Sequence, residues 1–509
     1  MALARAWSVA LVGLEGALVE VEADLAQGLP GLTVTGLPDA ALSEARDRVR
    51  AAVVNSGEDW PSKRITLGLS PASLPKRGSG FDLALAAAVL AAAGVVPAAA
   101  LHDRVLLGEL GLDGQVRAVR GVLPAVLTAR SAGITRVVVP RANLAEARLL
   151  PEVEAVGVAT LRELLALLRG EAVPDHPVPE PVEEDDPTPK DLVDVAGQPG
   201  GRTAVEVSAA GGHHLFLLGP PGAGKTMLAE RLPGLLPPLT LEQALEVTAV
   251  HSVAGLLPPG HPLVRRAPFQ DPHHSSTTAA VLGGGSGIAR PGAASLATQG
   301  VLFLDEAPEF GHGVLDALRQ PLESGRISIR RAAGTATYPV RFTLVLAANP
   351  CPCAQPSDEC TCRPESRRRY LTRLSGPLLD RVDMHVQVDR VSKAEVFAEE
   401  GSVEPTSVVA ARVARARATA AARYAGTPWT CNGEVPPVEL RRRWPVPRPA
   451  TRSAEAALDS GRLTARGFGR VLRLAWTLAD LAGSAVPEQC HVDHALGFRL
   501  GTRGLPVAA

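Results

Sequence analysis

The sequence predicts an α/β protein in four stretches: an α/β domain, an acidic linker, a second α/β region and a helix-rich tail. Three observations predict it. Short apolar runs alternate with helical runs on both sides of a proline-rich acidic segment. A glycine-rich octapeptide joins a strand-like run to a helix-like run. Beyond Val391 the apolar spacing is helical, with no strand candidate.

At 509 residues the chain exceeds one hydrophobic core, so about two to four domains are expected. Hydrophobic residues make 46% and charged residues 21%, a globular balance, and with aromatics at 3% the core must be built from Leu, Val and Ala. No run reaches the ~20 apolar residues of a membrane-spanning helix. Leu83–Val96 is too short and is bracketed by Asp82 and Pro97. The N-terminal MALARAWSVALVGLEGALVEVEAD has no small-residue cleavage site before its acids, so a cytoplasmic protein without membrane contact is expected.

Residues 1–170 form the first domain, with β-like runs at Ile65–Leu69, Arg104–Gly108 and Arg136–Val139. Helical runs at Ala40–Asn55, Asp82–Ala93, Leu123–Ala132 and Leu161–Leu168 lie between and after them, an α/β alternation. Residues 171–190 are the linker. Nine acids against one lysine fall between Glu171 and Asp194, and repeated prolines deny that stretch helix and sheet hydrogen bonds. Residues 191–390 form the second α/β region, with strands at His214–Leu218, Gly300–Leu304, Phe342–Ala347 and Met384–Val388. In the tail, 391–509, helices are expected at Val408–Tyr424, Thr451–Ser460 and Gly467–Leu481. That tail carries sixteen Lys/Arg against eleven Asp/Glu, which permits nucleic-acid contact, although a solvated surface is the plainer reading of charge alone.

The chemistry begins at Gly219-Pro220-Pro221-Gly222-Ala223-Gly224-Lys225-Thr226, a full G-x-x-x-x-G-K-[ST] loop between the strand HLFLL and the helix MLAERLPGLL. Its glycines let backbone N–H groups face phosphate oxygens at a helix N-terminus. Lys225 is positioned to neutralise the β- and γ-phosphates of ATP, and Thr226 to ligate Mg²⁺. Val301–Leu304 then ends in Asp305-Glu306, a Walker B pattern in which Asp305 serves Mg²⁺ and Glu306 polarises the attacking water. Asn349, after the next apolar strand, can position that water, where an exposed loop asparagine is the plainer alternative. These elements together predict an ATP-hydrolysing core of the AAA+ type.

The long interval from Lys225 to Asp305 holds the GGGSG run at Gly283–Gly287, an expected insertion. Arg326–Arg341 predicts a hairpin turning at Ala333-Gly334, with Arg330 and Arg331 near its tip as pore-lining or merely exposed cations. Cys351, Cys353, Cys360 and Cys362, as C-x-C-x6-C-x-C, can close a loop around one Zn²⁺, with reduced thiols or a redox pair as the alternative. Cys431 and Cys490 stand apart, and His273-His274 lack the spaced partners of a metal site and read as polar-contact residues.

The segments GPPGAGKTMLAERLPGLLPPL, DPHHSSTTAAVLGGG, RPGAASLATQGVLFLDEAPEF, LAANPCPC and LSGPLLDRVDMHV resemble the ComM/YifB family of magnesium-chelatase-like AAA+ ATPases. The resemblance runs over essentially the whole chain. It implies an AAA+ core with a helical C-terminal lid, preceded by a Lon-protease-like (ribosomal S5-type) α/β domain. It also implies a cytoplasmic homohexamer, and in competence-type members a helicase that promotes DNA branch migration during natural transformation. Carried onto this chain, it makes Arg381 the arginine finger and Arg466 the sensor 2 arginine. Ala307 and Thr298 depart from the family's usual residues without touching the chemistry. In the first domain Gly80 stands where a Ser-Lys peptidase would carry its nucleophile, Ser79 is one position out, and Leu123 lies near the expected lysine, so a proteolytically inactive domain is expected. A metal-chelatase-type motor and a protein-remodelling ATPase would share the same core.

Overall fold

Two long strands open the chain, β1 (Ala2–Val12) and β2 (Glu15–Ala26), paired antiparallel along their whole length. The computed structural model describes residues 2–501 apart from 37–39, 75, 77, 174–189, 259–261, 286–288, 332–333, 354, 356–359 and 397–402, so most of the acidic linker lies outside the described residues. Every second residue from Ala4 to Ala10 and from Val19 to Leu25 is buried, the strand period of two. Neither strand is among the sequence's β-like runs, because alanine and serine on the inward face of β1 hide the alternation.

β3 (Gly31–Thr35), α1 (Ala40–Asn55), β4 (Arg64–Ser70), α2 (Asp82–Ala92), β5 (Arg104–Leu106), α3 (Val122–Ser131), β6 (Arg136–Pro140), β7 (Glu154–Val158) and α4 (Leu161–Arg169) complete the first domain. Its seven-stranded mixed sheet runs β3-β4-β2-β1-β5-β6-β7. α1, α2 and α4 cover one face and α3 the other. Every residue of α2 is buried, as an all-apolar helix requires. Its first residue, Asp82, is held by Arg48 at 3.0 Å and by the Leu110 N–H at 3.1 Å.

The second region runs α5 (Pro199–Gly211), β8 (Leu215–Leu218), α6 (Lys225–Leu235), α7 (Leu241–Ala254), β9 (Phe269–Gln270), α8 (Thr278–Leu282), β10 (Gly283–Gly284), β11 (Arg290–Pro291), β12 (Val301–Leu304), β13 (Arg326–Arg331), β14 (Gly334–Pro339), β15 (Thr343–Ala348), α9 (Pro364–Leu371) and β16 (Met384–Gln387). Five of these strands form an all-parallel sheet, β9-β12-β15-β8-β16. The order places β8, the first of them in the chain, between the last two, so the sheet's switch point falls at the C-terminal end of β8. β10–β11 and β13–β14 are the two inserted hairpins, the second carrying exposed Arg330 and Arg331 beside its turn. Of the expected turn at Ala333-Gly334, Ala333 lies outside the described residues.

The first domain is seated on α7. Leu245 and Ala249 pack with α3, and the Gly121 N–H donates to the Ser252 carbonyl at 3.3 Å. The Ser252 hydroxyl and the Leu123 N–H both donate to the buried Glu146 carboxylate. The β1–β2 turn reaches further, bridging Gly13 to Thr337 of β14.

The tail supplies α10 (Thr406–Arg423), α11 (Arg452–Asp459), α12 (Ala465–Ala482) and α13 (Gln489–Leu500). These helices share one apolar cluster with α5, α6 and the parallel sheet. At that junction Asp383, just before β16, is buried against Arg470 of α12 and accepts the His214 N–H at 3.1 Å. No helix among the described residues is long and apolar enough to cross a membrane.

Candidate functional site

β8 delivers the loop Gly219–Thr226 to the switch point. Gly219 is forced by crowding, since a Cβ there would lie 2.1 Å from the Val388 carbonyl oxygen. Gly222 and Gly224 are needed for conformation, with φ of +74° and +86°, and space beside both is open. The helix α6 starts at Lys225, so its unpaired N–H groups face the loop's concavity.

A cavity of about 310 Å³ is bounded here by Gly222–Thr226, Asp305, Glu306 and Asn349. The buried Lys225 ammonium donates to the carbonyls of Gly219 and Pro220, at 2.7 and 2.9 Å, and to Asn349 Oδ1 at 3.0 Å. Burial pulls its pKa below the ordinary lysine value, against the opposing pull of Asp305 and Glu306. The Thr226 hydroxyl donates to Asp305 Oδ2 at 2.8 Å, and Asp305 Oδ1 accepts the Glu306 N–H at 2.8 Å. A hydroxyl and a carboxylate converging beside a phosphate loop are the hard oxygen donors that Mg²⁺ takes, so the residues present fit that ion. A second cavity of about 450 Å³ continues from Pro221–Gly224 and Met227 to Val195, Gln198 and Arg390. Gln198 holds it open from a left-handed φ of +54°, donating to the Ala223 carbonyl at 3.0 Å. No motif marked Gln198 in the sequence; the positive φ of a non-glycine residue is the signal that finds it.

Lys225, Thr226, Asp305, Glu306 and Asn349 are thus brought together. Arg381 and Arg466 are placed elsewhere, and neither bounds either cavity. The Arg381 guanidinium pairs with Glu323 and donates to the Pro377 carbonyl at 2.7 Å. Arg466, 76% exposed, reaches to 3.7 Å from Asp380, the residue beside Arg381. Both arginines therefore belong to one face. His274, which the sequence left as a polar contact, meets Glu306, its Nδ1 lying 3.1 Å from Oε2.

The sulfurs of Cys351, Cys353, Cys360 and Cys362 all lie within 4.8 Å of one another, two residues past Asn349 at the nearest. Three of the separations are 3.1, 3.3 and 3.4 Å. A tetrahedral Zn²⁺ with sulfurs at roughly 2.3 Å sets them about 3.8 Å apart, so the quartet fits a four-thiolate site with a small expansion. The backbone hydrogen bond at Cys362, with the Cys351 thiol, draws Cys360 down to about 6.

A phosphate loop at the switch point of a 2-3-4-1-5 parallel sheet, an Asp-Glu pair on the neighbouring strand end and a helical lid define an AAA+ nucleotide-binding core. Residues 191–396 match the family described as magnesium chelatase, subunit ChlI. Residues 21–143 match subunit ChlI of Mg-chelatase, and residues 403–499 the subunit ChlI C-terminal family. An uncharacterized protein of Mycobacterium tuberculosis is 55% identical over 504 residues, covering 98% of this chain and 99% of its own length. The competence protein ComM of Haemophilus influenzae is 39% identical over 508 residues, 99% of this chain and 98% of that protein. YifB of Escherichia coli is 38% identical over 505 residues, 98% of this chain and 97% of that protein. The chain belongs to the ComM/YifB family of magnesium-chelatase-like AAA+ proteins, whose site implies ATP and Mg²⁺. A shorter similarity, 32% over 190 residues, links 35% of the chain to 22% of the Lon protease of Roseiflexus castenholzii.

Proposed function

We propose that this chain is an ATP-hydrolysing motor that works as a cytoplasmic homohexameric ring on branched or single-stranded DNA, promoting branch migration. The observation that supports it best is the convergence of Lys225, Thr226, Asp305, Glu306 and Asn349 on one cavity. Bound ATP draws the Lys225 ammonium from the Gly219 and Pro220 carbonyls onto its β- and γ-phosphates. Asn349 orients a water in line with the γ-phosphorus. The water oxygen forms the new P–O bond, its proton passes to Glu306, and the bond to the β–γ bridging oxygen breaks, leaving ADP and phosphate. When bound beside Thr226 and Asp305, Mg²⁺ supplies charge neutralisation of the phosphates.

The DNA part of the reading draws on the full-length likeness to a competence protein and on the exposed Arg330 and Arg331 of the second hairpin. Steady-state ATPase with and without a four-way DNA junction tests it, with Glu306→Gln as control. Stimulation that vanishes in the control supports a DNA motor. An ATPase indifferent to every DNA tested sinks the DNA reading and leaves the hydrolase.

Arg381 and Arg466, on one face and away from their own phosphate cavity, serve the neighbouring subunit's nucleotide in this ring. Arg381→Ala and Glu306→Gln are each expected to be inactive alone. Mixed in equal amounts they should regain about a quarter of wild-type ATPase, since that fraction of random interfaces joins an intact Glu306 to an intact Arg381. No recovery on mixing would remove the action in trans.

The Cys351, Cys353, Cys360 and Cys362 quartet takes one structural Zn²⁺ that braces the loop after Asn349. Metal analysis of the purified protein should give about one Zn²⁺ per chain, lost in the Cys351→Ser/Cys353→Ser double variant. Metal-free wild type would leave the quartet as reduced thiols. The first domain is an assembly or guidance module rather than a peptidase. The Ser79 hydroxyl is spent on Glu109, the Lys76 ammonium on the Pro71 carbonyl, and Leu123 is buried.

A further inference from the structure

Glu306, the proton acceptor in this reading, is not free in the structure. Its Oε2 is drawn to His274 Nδ1 at 3.1 Å, and His274 is not among the residues that bound the phosphate cavity. The contact therefore turns the carboxylate toward the rim and away from the water it must activate. The backbone of Glu306 is fixed at a left-handed φ of +50°, so only the side chain has room to choose between these directions. Both partners are partly open to solvent, 35% for His274 and 48% for Glu306, and such pairs are weak enough for a small displacement to break.

That displacement has a route. His273 and His274 lie in a tight turn, closed by the Ser276 N–H on the His273 carbonyl at 2.8 Å. Thr277 caps α8 by accepting the Ala280 N–H at 3.2 Å, and α8 runs directly into β10. The β10–β11 hairpin touches the second hairpin twice. Gly283 has no room for a Cβ, which would lie 2.8 Å from Ile329 Cδ1, and the Tyr338 hydroxyl donates to the Ala289 carbonyl at 2.5 Å. An unbroken line of contacts thus joins the hairpin bearing Arg330 and Arg331 to the hydrolytic carboxylate.

We infer that His274 is a positioning residue that holds Glu306 in a resting direction, and that a polyanionic strand engaging the two hairpins pulls His274 away and frees it. The release step rests on the DNA-motor reading; the hold on Glu306 does not. The test is the basal ATPase of His274→Ala measured without DNA, then with a four-way junction, alongside the affinity for a fluorescent ATP analogue. The basal rate is expected to rise about two- to fivefold, the range for releasing a partly exposed pair. Stimulation by the junction should shrink toward one, nucleotide affinity should hold, and His274→Asn, which keeps a donor, should restore the low basal rate. A basal rate that is unchanged or lower at wild-type nucleotide affinity overturns the inference. If wild type ignores DNA while His274→Ala still runs faster, the hold stands and the DNA reading falls. Should His274→Ala lose nucleotide affinity, Tyr338→Phe carries the test, with blunted stimulation at an unchanged basal rate expected and full stimulation overturning the link.

Discussion

Glu306→Gln should lower kcat for ATP hydrolysis by about 10²–10⁴-fold while leaving nucleotide binding intact. The amide keeps the shape and the backbone geometry but cannot take a proton from water. Binding depends on other groups: the N–H groups of the phosphate loop, the Lys225 ammonium and the cradle that Gln198 holds open. Steady-state kinetics and equilibrium binding of a fluorescent ATP analogue check both halves. A kcat within about fivefold of wild type would show that proton transfer does not pass through Glu306.

The second large effect is on stability. Asp383→Ala should cost about 3–5 kcal/mol, because it leaves Arg470 charged, buried and without its carboxylate. It also removes the acceptor of the His214 N–H at the base of β8. Burial alone would raise the Asp383 pKa, but Arg470 and the His213 hydrogen bond outweigh it and hold the carboxyl well below the usual range. A depressed pKa of this kind stabilises the fold above the unfolded carboxyl's value, about 4, and the benefit disappears as pH falls from there through the folded value. Denaturant unfolding at neutral pH and again near pH 3 measures this. Equal stability of Asp383→Ala and wild type at neutral pH would show the pair to be a bystander.

What the sequence disclosed follows the distances along the chain over which each feature is encoded. The phosphate loop, the Asp305-Glu306 pair and the strand before Asn349 are contiguous, and each carries its chemistry within a few residues. The same holds for α1, whose bounds Ala40–Asn55 coincide with those expected. β1 and β2 stayed hidden because Ala4, Ala6, Ser8 and Ala10 meet the core with too little apolar surface to show a period. His274, Gln198 and Asp383 were illegible for another reason. Each acts through a partner supplied by a distant element, as in the 169 residues separating His214 from Asp383, and nothing local marks such a meeting. Cysteine is the exception, since four thiols in one short loop already limit what they can do.

The interval between Lys225 and Asp305 bears on how such a machine diverges over generations. It carries the helix that seats the first domain and the first hairpin, while the loops that flank it keep the phosphate chemistry. Lengthening an excursion of this kind costs only about 0.6 kcal/mol per doubling, so mutation can rewrite it cheaply. Lineages descended from one ancestral engine are therefore free to vary what they grip and what they wear, while the eight residues from Gly219 to Thr226 pass down unaltered.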